Sequence, residues 1–311
     1  GQLTLDDKMS KYLPELVGTN KENMTIRAVL EHRAGLKSWI PFYKETIEDE
    51  QVYDSIYASK PTDVHTIYVG NGLYILDTYK QVIMERIYES EMGTKGKYKY
   101  SDLGMILMKE LIENVVGTDF SDFVNEAFYD PMGIDRLTFL PLDKFEQSDI
   151  VPTSISPDMR KGLVHGNVHD PAAAMLGGIS GHAGLFGNAQ SLAALMQMLL
   201  NDGVYNNVQY LKKETIAEFT KKHHSDSRRG IGWDKPEMNR KKVNPASDRA
   251  STLCFGHTGF TGTMVWVDPK YDLVYVFLSN RVYPTQENKK LIRTGVRTNI
   301  MDVIYESFLL P

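Results

Sequence analysis

The sequence predicts an α+β fold. A mainly helical lobe over residues 1–220 is followed by a small antiparallel sheet over residues 221–311, backed by a C-terminal helix. Three observations predict this. Apolar residues recur at helical spacing in several separate stretches of the first two hundred residues. Met264-Val265-Trp266-Val267-Asp268-Pro269 and Leu273–Ser279 are rich in β-branched and aromatic residues and flank a short turn, the pattern of a hairpin. Gln286 to Leu309 then returns to helical spacing, with Leu291, Ile292, Val296, Ile300, Val303, Ile304 and Phe308 on the expected buried side. With no internal repeat, the 311 residues read as one domain of two lobes.

In chain order, Leu5, Met9, Tyr12, Leu13 and Leu16 predict a short amphipathic helix over residues 3–16, with Asp6 and Asp7 in its first turn. Thr25 to His32 predicts a second helix, stopped at Ala34-Gly35. Residues 37–75 mix aromatics, prolines and charges and read as a long surface excursion. Thr78 to Met92 is helical by spacing. Leu103 to Val116 is a strongly apolar helix, with Ser101 or Asp102 as N-cap and Gly117 past its end. Asp119 to Phe128 is a further helix, ended by Pro131-Met132-Gly133. Residues 141–170 read as loops. The glycine run 177–187 precedes a helix from Ala189 to Leu200 that carries the core stripe Met196, Leu199 and Leu200 and stops at Asp202-Gly203. Residues 221–252 are polar, with one strand candidate at Gly230–Asp234.

A hydrophobic fraction of 42% and a charged fraction of 24% are those of an ordinary globular chain. The net charge of −5 and the lack of a dense basic face argue against a nucleic-acid partner. Arg228-Arg229 and Arg240-Lys241-Lys242 read as solvated loops, as does His223-His224. The single cysteine, Cys254, excludes an internal disulfide and a cysteine-based zinc site. No apolar run reaches the ~18 residues that span a bilayer.

Chemistry-bearing residues concentrate in two places. Phe255-Gly256-His257-Thr258-Gly259-Phe260-Thr261-Gly262-Thr263 puts three glycines among a histidine and three threonines just before a strand, where a polar group could approach the backbone closely. Tyr100-Ser101-Asp102 sits at a helix start. Together and in this order, they resemble two signature motifs of the serine β-lactamase and penicillin-binding protein superfamily, in particular its class C β-lactamase and esterase-like branch. That superfamily uses a Ser-x-x-Lys nucleophile, a Tyr-x-Asn or Ser-x-Asn element and a Lys-Thr-Gly strand. Leu5–Pro14 and Thr25–Leu36 resemble flanking family segments. Val168-His169-Asp170 and Gly181–Phe186 are similar to a sub-branch fused behind family 3 glycoside hydrolases.

The resemblance implies a β-lactamase/DD-peptidase-like fold and an acyl-enzyme route, with no cofactor. Tyr100 would be the base and later the acid, Asp102 and His257 its catalytic neighbours. Ser101, Thr258, Gly259 and Phe260 would contact substrate, the Phe260 N–H as an oxyanion donor. It also implies a small-molecule or peptidoglycan-fragment substrate, a periplasmic or extracellular location, and a possible upstream catalytic domain in the same polypeptide. The chain departs from the family at three points: Asp102 replaces an amide by an acceptor-only carboxylate, His257 replaces a lysine, and no Ser-x-x-Lys occurs. The expectation is therefore a truncated domain, without the first strands and the nucleophile helix, that cannot form an acyl-enzyme. Thr94-Lys95-Gly96-Lys97 has the spacing but sits in a loop. The competing class is a non-catalytic glycan- or peptide-binding module attached to a glycoside hydrolase. His165, His169, Asp170 and His182 are of metal-ligating type, with His165 and His169 four residues apart, but they read as loop-ordering groups, because Gly162, Gly166 and Pro171 argue against a helix there. The glycine run 177–187 lacks a P-loop lysine and reads as a tightly packed loop.

Overall fold

The computed structural model describes residues 2–309. The chain divides into two units, Gly1–Asn125 with Thr138–Phe186, and Glu126–Leu137 with Gly187–Pro311.

The first unit is organised by helix α3. Its forerunners are α1 (Ile26–Leu30), capped by the Thr25 side chain on the Ala28 N–H, and α2 (Tyr79–Glu89). α3 itself runs Asp102–Val116, from Ser101 at its N-cap to Gly117, whose φ of 75° gives the left-handed C-cap. Its spacing buries Leu103, Ile106, Leu107 and Leu111 in one cluster with Val29, Ile83 and Ile87. Gly104 lets α1 press directly onto α3, since a Cβ there would stand 2.9 Å from Val29 Cγ1. α4 (Phe120–Val124) continues into one wider turn, Asn125–Tyr129, and α5 is the single turn Pro171–Met175.

Four expectations for this unit are corrected. Residues 3–16 form two short 3-10 turns, Met9–Lys11 and Pro14–Leu16, because Pro14 cannot continue a helix; Met9, Leu13 and Leu16 still reach the core. α1 ends at Leu30 with Glu31 as its C-cap, and His32 just beyond it takes φ 55°, before Gly35 is reached. The excursion 37–75 holds a two-stranded piece (Ile47–Glu48 with Gln51–Val52) and a three-stranded one in which Leu73–Ile75 lies between Tyr57–Ala58 and Ile67–Gly70. Residues 141–170 include the hairpin Pro152–Ser156 with Gly162–His165, which takes His165 into a strand. These strands are two to five residues long, too short to show periodicity.

The second unit is a three-stranded antiparallel sheet between helices. Its central strand, Met264–Asp268, pairs with Phe255–Thr258 on one side and Leu273–Phe277 on the other. Alternation assigns the two faces. Val265 and Val267, with Phe255, pack with Met196 of α6 (Ala189–Leu200). Met264 and Trp266, with Tyr275, pack with Met301 and Tyr305. Covered on both faces, all five central-strand residues are buried. α6 starts at Asn188, whose side chain caps the Ser191 N–H, and α7 (Lys213–Thr220) follows it.

Two expectations change here. The C-terminal helix is two pieces, α8 (Lys290–Arg293) and α9 (Val296–Leu309), broken at Gly295 with φ 62°. Its buried stripe is Met301 and Tyr305, both 0% exposed, whereas Ile292, Val296, Ile300, Val303 and Phe308 are exposed. Residues 230–234 form no strand; Asp234 alone bridges Gly256. Among the described residues no helix is long and apolar enough to cross a membrane.

Candidate active site

Tyr100, Ser101 and Asp102 lie in the first unit, where the loop entering α3 is laid along residues 32–38. The Gly93 N–H donates to Gly35 O, Gly96 to Arg33 O, Lys99 to His32 O (2.8 Å) and Asp102 to Ser38 O (2.8 Å). Ser101 is buried; its hydroxyl donates to Lys37 O at 2.6 Å and its N–H donates to His32 Nδ1 at 3.2 Å. The Tyr100 ring, 37% exposed, stacks on the His32 imidazole with centroids 4.3 Å apart.

Asp102 opens α3 and lines a cleft together with Trp39, Pro41, Phe42, Tyr43, Asp170 and His182 among others. His182 is held at both ring nitrogens, Nε2 by Asp170 Oδ1 at 2.9 Å and Nδ1 by Ser180 Oγ at 2.9 Å. Burial would raise the Asp170 carboxyl, but the His182 bond and the Ala173 N–H hold it below its usual range. Burial raises the Asp102 carboxyl, with Asp170 adding and His182 opposing. Two carboxylates near one imidazole are thus pushed in opposite directions, the arrangement that separates proton donor from acceptor.

His257, Thr258, Gly259 and Phe260 lie in the second unit. His257 and Thr258 are on the edge strand, and the turn that follows is closed by Gly259 N–H to Thr263 O (2.8 Å) and Gly262 N–H to Gly259 O. Gly256 exchanges both backbone bonds with Asp234, so its polar groups point away from the central strand. By the alternation of an antiparallel ladder, those of Thr258 point the same way, off the sheet edge. Phe260 is 64% exposed, with the Arg281 guanidinium 4.5 Å from its ring centroid.

His257 is neutral. Burial and the Arg229 guanidinium both lower it, and Arg229 Nη1 donates to its Nε2 at 2.8 Å while Nδ1 donates to Thr258 O at 2.9 Å. Asp234, buried, pairs with Arg228 at 2.7 Å and with Arg229 at 3.2 Å. The solvated-loop reading of Arg228-Arg229 is therefore corrected: the Arg229 side chain is only 10% exposed. Of the residues read as loop-ordering groups, His165 meets Ile150 O and His169 meets Ser154 Oγ, while His182 and Asp170 meet each other. His32, Trp39, Arg229 and Asp234 were not expected at the site. His32 was visible only as part of a family segment.

A Beta-lactamase family model matches residues 1–298. The chain belongs to the beta-lactamase family. It is 31% identical, over 95% of its length and 68% of the relative's, to an Escherichia coli (strain K12) protein provisionally named a D-alanyl-D-alanine carboxypeptidase. A Salmonella agona (strain SL483) protein of the same name is 29% identical over 94% of this chain and 66% of its own. The chain thus spans about two thirds of these relatives. The fold is that of solved family members. A penicillin-binding protein homologue from Caulobacter crescentus superposes with TM-score 0.59 at 18% identity, covering 90% of this chain and 71% of its own. A penicillin-binding protein from Bacillus halodurans gives 0.60 at 14%, covering 95% and 78%. This confirms the β-lactamase/DD-peptidase-like α+β fold.

Proposed function

We propose that these 311 residues carry the proton-transfer tyrosine and the substrate-lining strand of a serine acyl-transfer site for an ester or amide bond, with a peptidoglycan peptide as the substrate class. The observation that carries this is Tyr100 fixed at the N-terminus of the buried helix α3, in a chain of the beta-lactamase family. In this reading Tyr100 takes the proton from the attacking serine and returns it to the leaving group. A free phenol titrates near 10; the positive end of α3 and a neighbouring ammonium would bring it down. The polypeptide carbonyl of the substrate lies along the open edge at Thr258, where Gly259 leaves room and the Phe260 N–H serves the oxyanion. His257, neutral, contributes hydrogen bonding and no charge. Asp102, an acceptor only, suits an ammonium partner.

The serine itself is not among these residues, since no Ser-x-x-Lys occurs in them. The chain by itself is inactive in this reading. Its native setting is the cell envelope, beside further polypeptide such as a glycoside hydrolase domain. That same lack of the motif favours one second reading, a non-catalytic module that keeps the groove to bind a peptide or glycan.

Incubation of the purified chain with a fluorophosphonate probe and an activated ester tests the proposal. Neither labelling nor turnover is expected. Ester turnover abolished by the phosphonate would overturn it. Restoration of turnover by native sequence containing Ser-x-x-Lys, lost again in Tyr100→Phe, would separate the enzyme from the binding module.

A further inference from the structure

We infer that His32 is the positioning residue of Tyr100: it pins the backbone on both sides of the tyrosine and sets the plane of its ring. Its catalytic relevance rests on the proposed function, but the geometry stands without it.

Three contacts from one residue converge. The His32 carbonyl accepts the Lys99 N–H at 2.8 Å, and its Nδ1 accepts the Ser101 N–H at 3.2 Å. The two residues flanking Tyr100 are therefore tied to the same side chain and main chain, 67 and 69 positions away in sequence. The imidazole face then meets the Tyr100 ring at 4.3 Å and 38°, with Tyr98 edge-on at 6.2 Å and 87°. Because Nδ1 accepts an N–H, the proton of the neutral ring sits on Nε2.

The backbone shows that this placement is built. His32 adopts φ 55°, a left-handed conformation that is unfavourable for a side chain with a Cβ. It is 6% exposed. The left-handed residue turns the chain out of α1, the His32 N–H still bonded to Val29 O at 3.0 Å, and starts the segment 32–38 along which the loop into α3 is laid. A glycine or asparagine would make that turn with less strain. Neither would supply both the acceptor and the ring.

This division of labour makes the inference testable in the intact 311-residue chain. His32→Asn keeps an acceptor at the position of Nδ1 and tolerates the left-handed backbone, but removes the ring. His32→Phe keeps a ring and removes the acceptor. The readouts are the exchange rate of the Ser101 amide and the ring resonances of Tyr100, assigned with Tyr100→Phe. In His32→Asn, Ser101 stays protected while the Tyr100 resonances move and its phenol titrates at a different pH. In His32→Phe, Ser101 exchange accelerates on the order of tenfold, as loss of one hydrogen bond implies. A merely structural histidine would alter stability alone. The inference is overturned if the Tyr100 resonances and titration in His32→Asn match the wild type, or if protection falls equally throughout α3. The asparagine variant decides the matter even if the phenylalanine one does not fold. Failure of the acyl-transfer reading would appear in the phosphonate experiment and leave these readouts untouched.

Discussion

Two aspartates, one in each unit, are held in opposite ways: Asp234 is buried and Asp102 is half-buried. Asp234 meets two guanidiniums and accepts the Lys235 N–H at 2.8 Å, and its main chain bridges the edge strand at Gly256. Asp102 lines a cleft with no hydrogen-bond partner among the described residues for its carboxylate, and with a second carboxylate nearby. The first environment is saturated and the second is open. Saturated charges hold a structure together, because removing one leaves the others buried without partners. An open charge costs stability until something binds, which is how a site differs from a strut.

The largest effect should come from breaking the saturated side. Asp234→Ala takes the shared carboxylate from Arg228 and Arg229 and is expected to cost about 3 kcal/mol, toward the low end for a buried pair because the Arg228 side chain is 32% exposed. Denaturant unfolding measures it, and a loss under ~1 kcal/mol would show that the cluster is ornamental. Close packing gives the next effect. A Cβ at Gly181 would sit 2.1 Å from Met105 O, on the α3 backbone, and one at Gly256 would sit 2.1 Å from Val265 O. Neither obstacle is the flexible end of a side chain, so Gly181→Ala and Gly256→Ala are each expected to cost roughly 1–3 kcal/mol.

A smaller effect tests the neutral histidine. His257 is lowered from 6.5 in the folded chain, so below that pH the unfolded chain takes up a proton that the folded one refuses. Stability is therefore lost as the pH falls from about 6.5 toward the folded value. His257→Gln, whose amide oxygen can still accept from Arg229, should flatten that acid slope in thermal melts. An unchanged slope would mean that the imidazole charges freely in place.

The sequence exposed whatever was local. α3 was legible from Ser101 to Gly117 because its caps and its apolar spacing lie within one stretch, and the sheet was legible because Met264–Asp268 and Leu273–Phe277 are near-continuous strand formers. It hid whatever joins distant positions. Arg229 stands in a polar run that looks solvated, and only the fold places Asp234 and His257 against it. His32 reaches Ser101 across 69 residues. The C-terminal helix failed differently: it carries two apolar stripes, and periodicity cannot choose between Val296-Ile300-Val303 and Met301-Tyr305 without knowing which one meets Trp266. His182 reads from the sequence as a loop-ordering group, but its partner is hidden there, since the sequence shows residue types and not the 2.9 Å bond that pairs it with Asp170.

The smallest expected effect sharpens the comparison most, because its sign is opposite to that of Asp234→Ala. The Asp102 carboxyl is raised above its usual 3.8, chiefly by burial. Below the usual carboxylate range both folded and unfolded chains carry the proton, and the side chain imposes no penalty. As the pH rises, the unfolded chain loses its proton first, so stability falls through the window between the two values. Asp102→Asn removes the charge while keeping the shape and adds a donor. It should therefore raise the melting temperature at neutral pH, and the gap over the wild type should close on acidification toward about pH 4. A lower melting temperature at neutral pH would mean that the carboxylate is already matched inside the fold, and the cleft would lose its claim to be the open half of the pair.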